Sequence, residues 1–262
     1  MNVFEALILG LLQGLTEFLP VSSSGHLELG KALFGSINGE DSLGFTVCVH
    51  TATVLSTLMV FRKDIFKIFK DIIKLEWNYS TRYVSMLLLS MIPVGILGIF
   101  FKDYVELFFN GNTILVGCML LITAILLALA HFIHPRQKQL TFVNTFIVGI
   151  AQAIAVLPGL SRSGATISTG LLLGLPREEV AKFSFLMVII PVLGESFLDL
   201  IKGGFTSGAI ELMPMITGFI AAFISGLFAC KFMIKIVNKG NLLWFSLYCI
   251  AIGITAIIVT IY

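Results

Sequence analysis

The chain has 262 residues, of which 57% are hydrophobic and only 12% are charged. Soluble proteins average about 45–50% apolar and about 25% charged residues, so this composition excludes a water-soluble globular protein. The formal net charge of +2 is too small to indicate nucleic-acid binding, and we exclude that class as well. Because no polar stretch remains for a separate soluble domain, the sequence predicts a single membrane domain over residues 1–262.

Six apolar runs are long enough to cross a bilayer, for which a helix needs about 20 residues. They lie, in chain order, at residues 44–61, 83–101, 113–132, 183–200, 213–232 and 242–262. Two further apolar stretches, at 3–33 and 142–175, are interrupted near their middles by Ser, Gly and Pro. An irregular backbone survives at membrane depth only where protein or water surrounds it, so these stretches are predicted to be re-entrant helix pairs.

The two interrupted stretches resemble each other, which indicates an internal repeat. A shift of 139 residues places Ile8, Gly10, Gln13, Ser22, Ser24 and Gly25 on Ile147, Gly149, Gln152, Ser161, Ser163 and Gly164. Each half then holds one re-entrant pair and three spans, and because three crossings are an odd number, the second half is inverted. The predicted fold is all-α and integral to the membrane, with six transmembrane helices and two re-entrant pairs in inverted repeats at approximately 1–132 and 140–262.

Basic residues predict how the chain is oriented in the membrane. Six Lys or Arg residues lie between positions 62 and 82, so this loop is expected on the cytoplasmic side. Counting crossings from there brings the first re-entrant pair in from the outside and the second in from the cytoplasm. The tips of the two pairs are then expected to meet near the middle of the membrane.

Polar side chains at the two predicted tips indicate a binding site for an anion. An arginine at membrane depth, here Arg162, costs about 3 kcal/mol even on the lenient insertion scale and needs an anionic partner. Glu17 alone would leave the hydroxyls and the helix N-termini at the tips unexplained, whereas a bound phosphate would use all of them. The residues predicted to bind it are Gln13, Ser22, Ser24, Gly25, Gln152, Ser161, Ser163, Gly164 and Thr166.

The same tips hold residue types that perform phosphoryl transfer. Ser23 is the candidate nucleophile, His26 the candidate proton carrier, and Glu17 a candidate base or metal ligand. Phosphoryl transfer commonly uses a divalent ion on the phosphate oxygens. Because one carboxylate is a sparse metal site, Mg²⁺ or Ca²⁺ is expected to be held largely by the phosphates of the substrate.

Two motifs resemble those of a known family. QGLTEFLPVSSSGH at 13–26 and PGLSRSG at 158–164 are similar to the signatures of the undecaprenyl-pyrophosphate phosphatases, also called bacitracin-resistance proteins, and the resemblance extends over nearly the whole chain. It implies an enzyme of the bacterial plasma membrane that hydrolyses undecaprenyl diphosphate to undecaprenyl phosphate and inorganic phosphate. This reaction recycles the lipid carrier for peptidoglycan synthesis.

The resemblance also implies roles for individual residues. Catalytic roles map to Glu17, Ser23, His26 and Arg162. Divalent-metal dependence maps to the acidic motif E/Q-x-x-x-E, whose first and last positions are Gln13 and Glu17 here. The family is described as an inverted-repeat dimer whose site opens to the outer face, so a homodimer with outward access is implied here. The first position of the acidic motif is Gln13 in this chain, so Glu17 would carry the metal role alone.

Two other functions fit parts of the same pattern. Secondary transporters share the inverted-repeat architecture, so the chain could instead move a phosphate-bearing polyprenyl lipid across the membrane. A carrier needs Arg162 and anion-binding hydroxyls, but not a nucleophile and a proton carrier beside them. A membrane scaffold, the third interpretation, predicts no convergence of polar groups at mid-depth.

Single residues also have plainer interpretations. The serines at 22–24 could simply cap a helix, Arg162 could form a purely structural pair with Glu17, and His26 could be a satisfied buried histidine. His50 is interpreted as a structural or cavity-lining residue rather than a catalytic one. No role is assigned to Glu195 and Asp199, which lie one helical turn apart.

Overall fold

The computed structural model describes residues 1–34, 40–101, 104, 108, 112–133, 137–194 and 211–261, and their regular secondary structure is helical. The predicted all-α class is confirmed for this part of the chain. The helices are α1 (Val3–Phe18), α2 (Ser23–Phe34), α3 (Glu40–Val60), α4 (Arg62–Ile72), α5 (Tyr79–Phe100), α6 (Thr113–Phe132), α7 (Phe142–Ile154), α8 (Arg162–Leu172), α9 (Arg177–Leu186), α10 (Leu212–Lys239) and α11 (Leu243–Ile261).

Four of these helices are long and apolar enough to cross a membrane, namely α5, α6, α10 and α11. A fifth candidate is the pair formed by α3 and α4, which meet at a bend of 74°. These helices confirm the prediction of an integral membrane protein. Spans at 83–101, 113–132, 213–232 and 242–262 were expected, and each coincides with one of the four long helices.

Two of the expected elements differ in the structure. The predicted span at 183–200 is not one straight helix, because α9 ends at Leu186 and a turn at 187–188 precedes a further helical stretch at 189–194. The rest of that span, including Glu195 and Asp199, lies outside the described residues. The predicted loop at 62–82 begins with a helix, α4, and none of its residues is buried.

Helix α4 forms because its sequence is amphipathic. The segment RKDIFKIFKDI alternates apolar and basic residues with helical spacing, and exposed Phe66 and Phe69 lie among its lysines. Asp64 in the first turn and Lys70 in the last turn match the helix dipole. Such a helix is typical of one that lies along a membrane surface rather than across the membrane.

The two predicted interruptions are breaks in the structure, and the same device begins the helix after each. In the first, Ser22 has a left-handed backbone conformation, with φ of 69°, and its hydroxyl accepts a hydrogen bond from the N–H of Gly25 at 3.2 Å. In the second, the Ser161 hydroxyl accepts from the N–H of Gly164 at 3.1 Å. Serine at this position satisfies N–H groups that a helix start leaves free.

Small residues let α1 lie close against α10. An added Cβ at Gly10 would come within 2.9 Å of the Gly218 Cα atom, and one at Gly14 within 2.8 Å of the Gly226 nitrogen. Close approach of small residues is a common way for helices to pack in membranes. Because Glu17 lies almost one turn beyond Gly14, this contact sets the position of the Glu17 carboxylate.

We expect Gly14→Ala to destabilise the protein by about 1–3 kcal/mol, the usual cost of overpacking a tight contact. The new methyl group meets backbone atoms of α10, which cannot move as a side chain could. Gly95→Ala in α5 is the matched control, because a Cβ there has no neighbour within 4 Å in the described structure. Thermal unfolding in detergent should show a lower Tm for Gly14→Ala only; equal Tm values for both variants would contradict this packing.

Candidate active site

The Glu17 carboxylate is the centre of a buried polar cluster, and its side chain is 6% exposed. Its Oε1 atom forms an ion pair with Nη2 of Arg162. Its Oε2 atom accepts hydrogen bonds from the Ser23 hydroxyl at 2.7 Å and from the Gln13 amide at 2.8 Å. Gln13 reaches it because residues four apart on α1 share a face.

The cluster joins residues from the two halves of the chain. Arg162 is the first residue of α8, whereas Glu17 lies near the end of α1 and Ser23 begins α2. The Ser163 hydroxyl adds a second link by donating to the Leu19 carbonyl at 3.2 Å. The expected proximity of Arg162, Glu17 and Ser23 is therefore observed.

His50 also lies at this cluster. Its Nε2 atom is 3.6 Å from Oε2 of Glu17, and its Nδ1 atom hydrogen-bonds to the Thr46 carbonyl at 2.9 Å. Its place in the middle of a predicted span favours a structural or cavity-lining role over a catalytic one. The sequence does indicate a polar face on this helix, because His50, Thr53 and Thr57 have the i, i+3, i+7 spacing of residues on one side.

His26 has other partners. Its Nδ1 atom hydrogen-bonds to the Ser22 carbonyl at 2.8 Å, and its Nε2 atom hydrogen-bonds to the Tyr248 hydroxyl at 2.8 Å. The two rings stack with their centroids 5.6 Å apart. The catalytic role of His26 stays a prediction, and Tyr248 of α11 is a partner that no motif had indicated.

The other predicted binding residues divide into two groups. Ser22 caps α2, as the plainer interpretation of the serines at 22–24 expected, and Ser161 caps α8. Their hydroxyls lie 3.4 Å and 3.3 Å from those of Ser24 and Ser163, respectively. Thr166 instead hydrogen-bonds to the Ser184 hydroxyl of α9 at 2.6 Å. Thr166 therefore ties α8 to α9.

Two buried glutamines have unused hydrogen-bonding atoms. Among the described residues, Oε1 of Gln13 and both amide atoms of Gln152 have no hydrogen-bond partner. Both side chains are buried, and leaving such atoms unpaired costs about 1–3 kcal/mol each. The unpaired oxygen of Gln13 belongs to the side chain that bonds to Glu17, so it is available to a polar ligand at the cluster.

A small cleft lies beside the ion pair. Polar groups of Glu17, Arg162, Thr53 and Thr57 line one part of it, and apolar residues such as Phe18 and Phe185 line the rest. A cleft with a few polar groups and apolar walls is the usual form of a small-molecule site. The polar part of this cleft coincides with the Glu17–Arg162 pair.

At the cluster, the described side chains that could hold a divalent cation are Glu17 and His50. Within the described part of the chain, no three His, Cys, Asp or Glu side chains converge as metal ligands. Both oxygens of Glu17 already serve Arg162, Ser23 and Gln13.

The helices and the cluster define an α-helical integral membrane protein with a polar site buried among its helices. Comparison with known proteins then identifies the family. The chain belongs to the family described as bacitracin resistance protein BacA, whose model matches residues 6–255. The family predicted from the two motifs is thus confirmed.

Relatives named undecaprenyl-diphosphatase match nearly the whole chain. The chain is 57% identical to undecaprenyl-diphosphatase of Bacteroides fragilis over 99% of both chains. It is 51% identical to undecaprenyl-diphosphatase of Christiangramia forsetii over 98% of both chains. It is 38% identical to the protein of that name from Methanococcus vannielii, over 94% of this chain and 95% of the relative.

Proposed function

We propose that this chain is an undecaprenyl-diphosphatase whose catalytic centre consists of Glu17, Ser23 and Arg162. It hydrolyses undecaprenyl diphosphate to undecaprenyl phosphate and inorganic phosphate, which recycles the lipid carrier for cell-wall synthesis. The observation that carries the proposal is the buried contact of Glu17 with both Arg162 and Ser23 beside the cleft. The relatives of the same length and name support the reaction.

Arg162 binds the terminal phosphate of the substrate. A guanidinium donates two parallel hydrogen bonds to phosphate oxygens, and Arg162 sits at the N-terminus of α8, where free N–H groups and the helix dipole favour an anion. In the absence of substrate, Glu17 neutralises this charge. The phosphate takes over part of that role when it enters the cleft.

Ser23 supplies or orients the attacking oxygen. Its hydroxyl is held at 2.7 Å from Glu17, which fixes its direction. The oxygen of Ser23, or a water bound by it, attacks the terminal phosphorus while the bond from phosphorus to the bridging oxygen breaks. Undecaprenyl phosphate leaves with the bridging oxygen, and one water molecule is consumed over the cycle.

The remaining predicted residues bind or shape the phosphate site. The first turns of α2 and α8 contribute N–H groups to phosphate oxygens, and Ser22 and Ser161 hold those turns by capping them. Gln13 and Gln152 offer the amide atoms that are unused in the described structure. The members of this binding set are Gln13, Ser22, Ser24, Gly25, Gln152, Ser161, Ser163, Gly164 and Thr166.

A divalent cation, Mg²⁺ or Ca²⁺, would be held largely by the phosphates of the substrate rather than by the protein. Such an ion neutralises phosphate charge when bound. Glu17 stays with Arg162 and Ser23, in keeping with the partners of both its oxygens. The phosphates of the lipid substrate, and not Glu17, would therefore be the main ligands of the ion.

We expect a chelator to abolish phosphate release and added Mg²⁺ or Ca²⁺ to restore it. Because the substrate brings the ion, titration of either cation into lipid-free protein should give no tight binding, while the same titration with a diphosphate lipid present should. Glu17→Gln tests whether the protein itself holds the ion, because this variant lacks the carboxylate that could bind it. Tight cation binding to the lipid-free protein that Glu17→Gln removes would contradict this arrangement.

We propose that the chain crosses the membrane six times and forms two re-entrant helix pairs, α1 with α2 and α7 with α8. The two halves are arranged as inverted repeats. The matching serine caps at both breaks support the repeat. The basic surface helix α4 supports a cytoplasmic position for the 62–82 segment. In keeping with the family resemblance, we propose that the enzyme lies in the bacterial plasma membrane as a homodimer. Its site would open to the outer side of that membrane.

The decisive test compares hydrolysis with transport. Detergent-purified protein should release phosphate from undecaprenyl diphosphate, whereas a carrier would only move the lipid between the leaflets of a proteoliposome. Lipid movement without phosphate release from the same preparation would favour the carrier and end this proposal. A membrane scaffold would do neither.

A further inference from the structure

Two histidines, His26 and His50, are candidates for proton transfer, and their hydrogen bonds differ in one respect. A neutral imidazole has one N–H donor and one bare nitrogen that accepts, and a carbonyl oxygen can only accept. The nitrogen that contacts a carbonyl must therefore carry the hydrogen. This rule fixes which nitrogen of each ring is free to exchange a proton.

Both nitrogens of His26 are already used. Nδ1 carries the hydrogen because it contacts the Ser22 carbonyl, so Nε2 is the acceptor and takes the hydrogen bond of the Tyr248 hydroxyl. The ring is buried at the start of α2 and stacked on Tyr248. His26 thereby holds the break between α1 and α2 against α11.

His50 has a nitrogen without such a partner. Its Nδ1 atom donates to the Thr46 carbonyl, which leaves Nε2 bare. Nε2 points at the cluster, 3.6 Å from Oε2 of Glu17, a distance too long for a hydrogen bond. The same Glu17 oxygen accepts the hydrogen bond of the Ser23 hydroxyl.

The cleft extends along the helix that carries His50. Thr53 and Thr57, one and two turns further along α3, line the cleft with Glu17 and Arg162. Their hydroxyls donate to carbonyls of their own helix, at 2.7 Å for Thr53 and 3.2 Å for Thr57. The polar face of α3 thus completes a site that the two motifs only half describe.

We propose that His50, and not His26, is the catalytic residue that accepts the proton of the attacking hydroxyl. As the oxygen of Ser23 bonds to the terminal phosphorus, its proton passes to Glu17 Oε2 and, once Nε2 of His50 moves within hydrogen-bond distance of that oxygen, on to His50. The bond from phosphorus to the bridging oxygen breaks, and undecaprenyl phosphate leaves with that oxygen. The imidazolium that forms lies beside the Glu17 carboxylate, which stabilises it. His26 is a positioning residue for the turn that carries Ser23. This inference rests on the proposed diphosphatase activity.

The test is the steady-state kinetics of His50→Gln with undecaprenyl diphosphate. Glutamine keeps a polar side chain that can bond to the Thr46 carbonyl, but it cannot carry a proton at neutral pH. We expect kcat to fall about a hundredfold or more, the usual contribution of a general base, while KM changes less than about threefold. His131→Gln is the matched control, because His131 bonds to the Gly240 carbonyl at 2.9 Å, and we expect wild-type kcat for it.

A second variant separates catalysis from folding. His50→Ala leaves a gap beside Glu17, and added imidazole should restore part of its kcat if the ring acts as a base. Wild-type kcat in His50→Gln, or low kcat in His50→Ala without rescue by imidazole, overturns the assignment. Absence of phosphate release from the wild type and from His131→Gln would instead contradict the proposed diphosphatase activity.

Discussion

Arg162→Ala is expected to lower kcat/KM for phosphate release from undecaprenyl diphosphate by about 10²–10³-fold, the loss typical of a removed charge-stabilising donor. The substitution removes the guanidinium that binds the terminal phosphate and neutralises charge as the phosphorus is attacked. Arg162→Lys should retain an intermediate activity, because lysine keeps the charge but not the two parallel hydrogen bonds. Phosphate release by detergent-purified protein at several lipid concentrations measures all three enzymes.

Loss of folding must be separated from loss of chemistry in this experiment. Removing one partner of a buried ion pair costs about 3–5 kcal/mol, because Glu17 is left charged and unpaired. The double variant Glu17→Gln, Arg162→Gln removes both charges and should regain Tm while staying inactive. Recovery of activity together with Tm would mean that the pair is purely structural, and so would wild-type turnover in Arg162→Ala.

Ser23→Ala is expected to reduce kcat by about 10³-fold, since it removes the oxygen that attacks phosphorus or orients the attacking water. The Tm should change little, because the hydroxyl is only partly buried and its partner Glu17 keeps Arg162 and Gln13. Single-turnover phosphate release at saturating lipid measures this step without product release.

Ser24→Ala is the matched comparison for Ser23→Ala, because it removes a hydroxyl from the next residue of the same turn. The Ser24 hydroxyl lies 3.4 Å from that of Ser22, so its loss should cost no more than about tenfold, the value of one ordinary hydrogen bond. Equal losses in the two variants would show that the turn as a whole matters and that Ser23 has no special role.

The class of protein and its chemistry could be predicted from the sequence because both depend on local features. Membrane insertion follows from composition and from the length of apolar runs, and Ser, Gly and Pro interrupt helices wherever they cluster. Because a charged side chain at membrane depth needs a partner of opposite charge, Arg162 predicted an anion close by, and Glu17 was the available carboxylate. The motifs around these residues also identified the family, which the comparisons confirm.

Helix boundaries were harder to predict where the hydropathy does not change. The run at 183–200 is apolar throughout, yet α9 ends at Leu186, and nothing in the hydropathy marks that end. At 62–82 the high charge suggested a loop, although the helical spacing of Phe66 and Phe69 among lysines was present. Charge alone does not distinguish a loop from a surface helix.

The sequence by itself determined a helical membrane protein with two broken stretches that carry an arginine, a carboxylate and a serine. Only the tertiary structure decided that His50 joins this cluster and that His26 is bound by Tyr248. The physical reason is that helical spacing fixes which residues share a face, whereas the neighbour of that face depends on packing. Here that packing includes the close glycine contact of α1 with α10, which no single helix encodes.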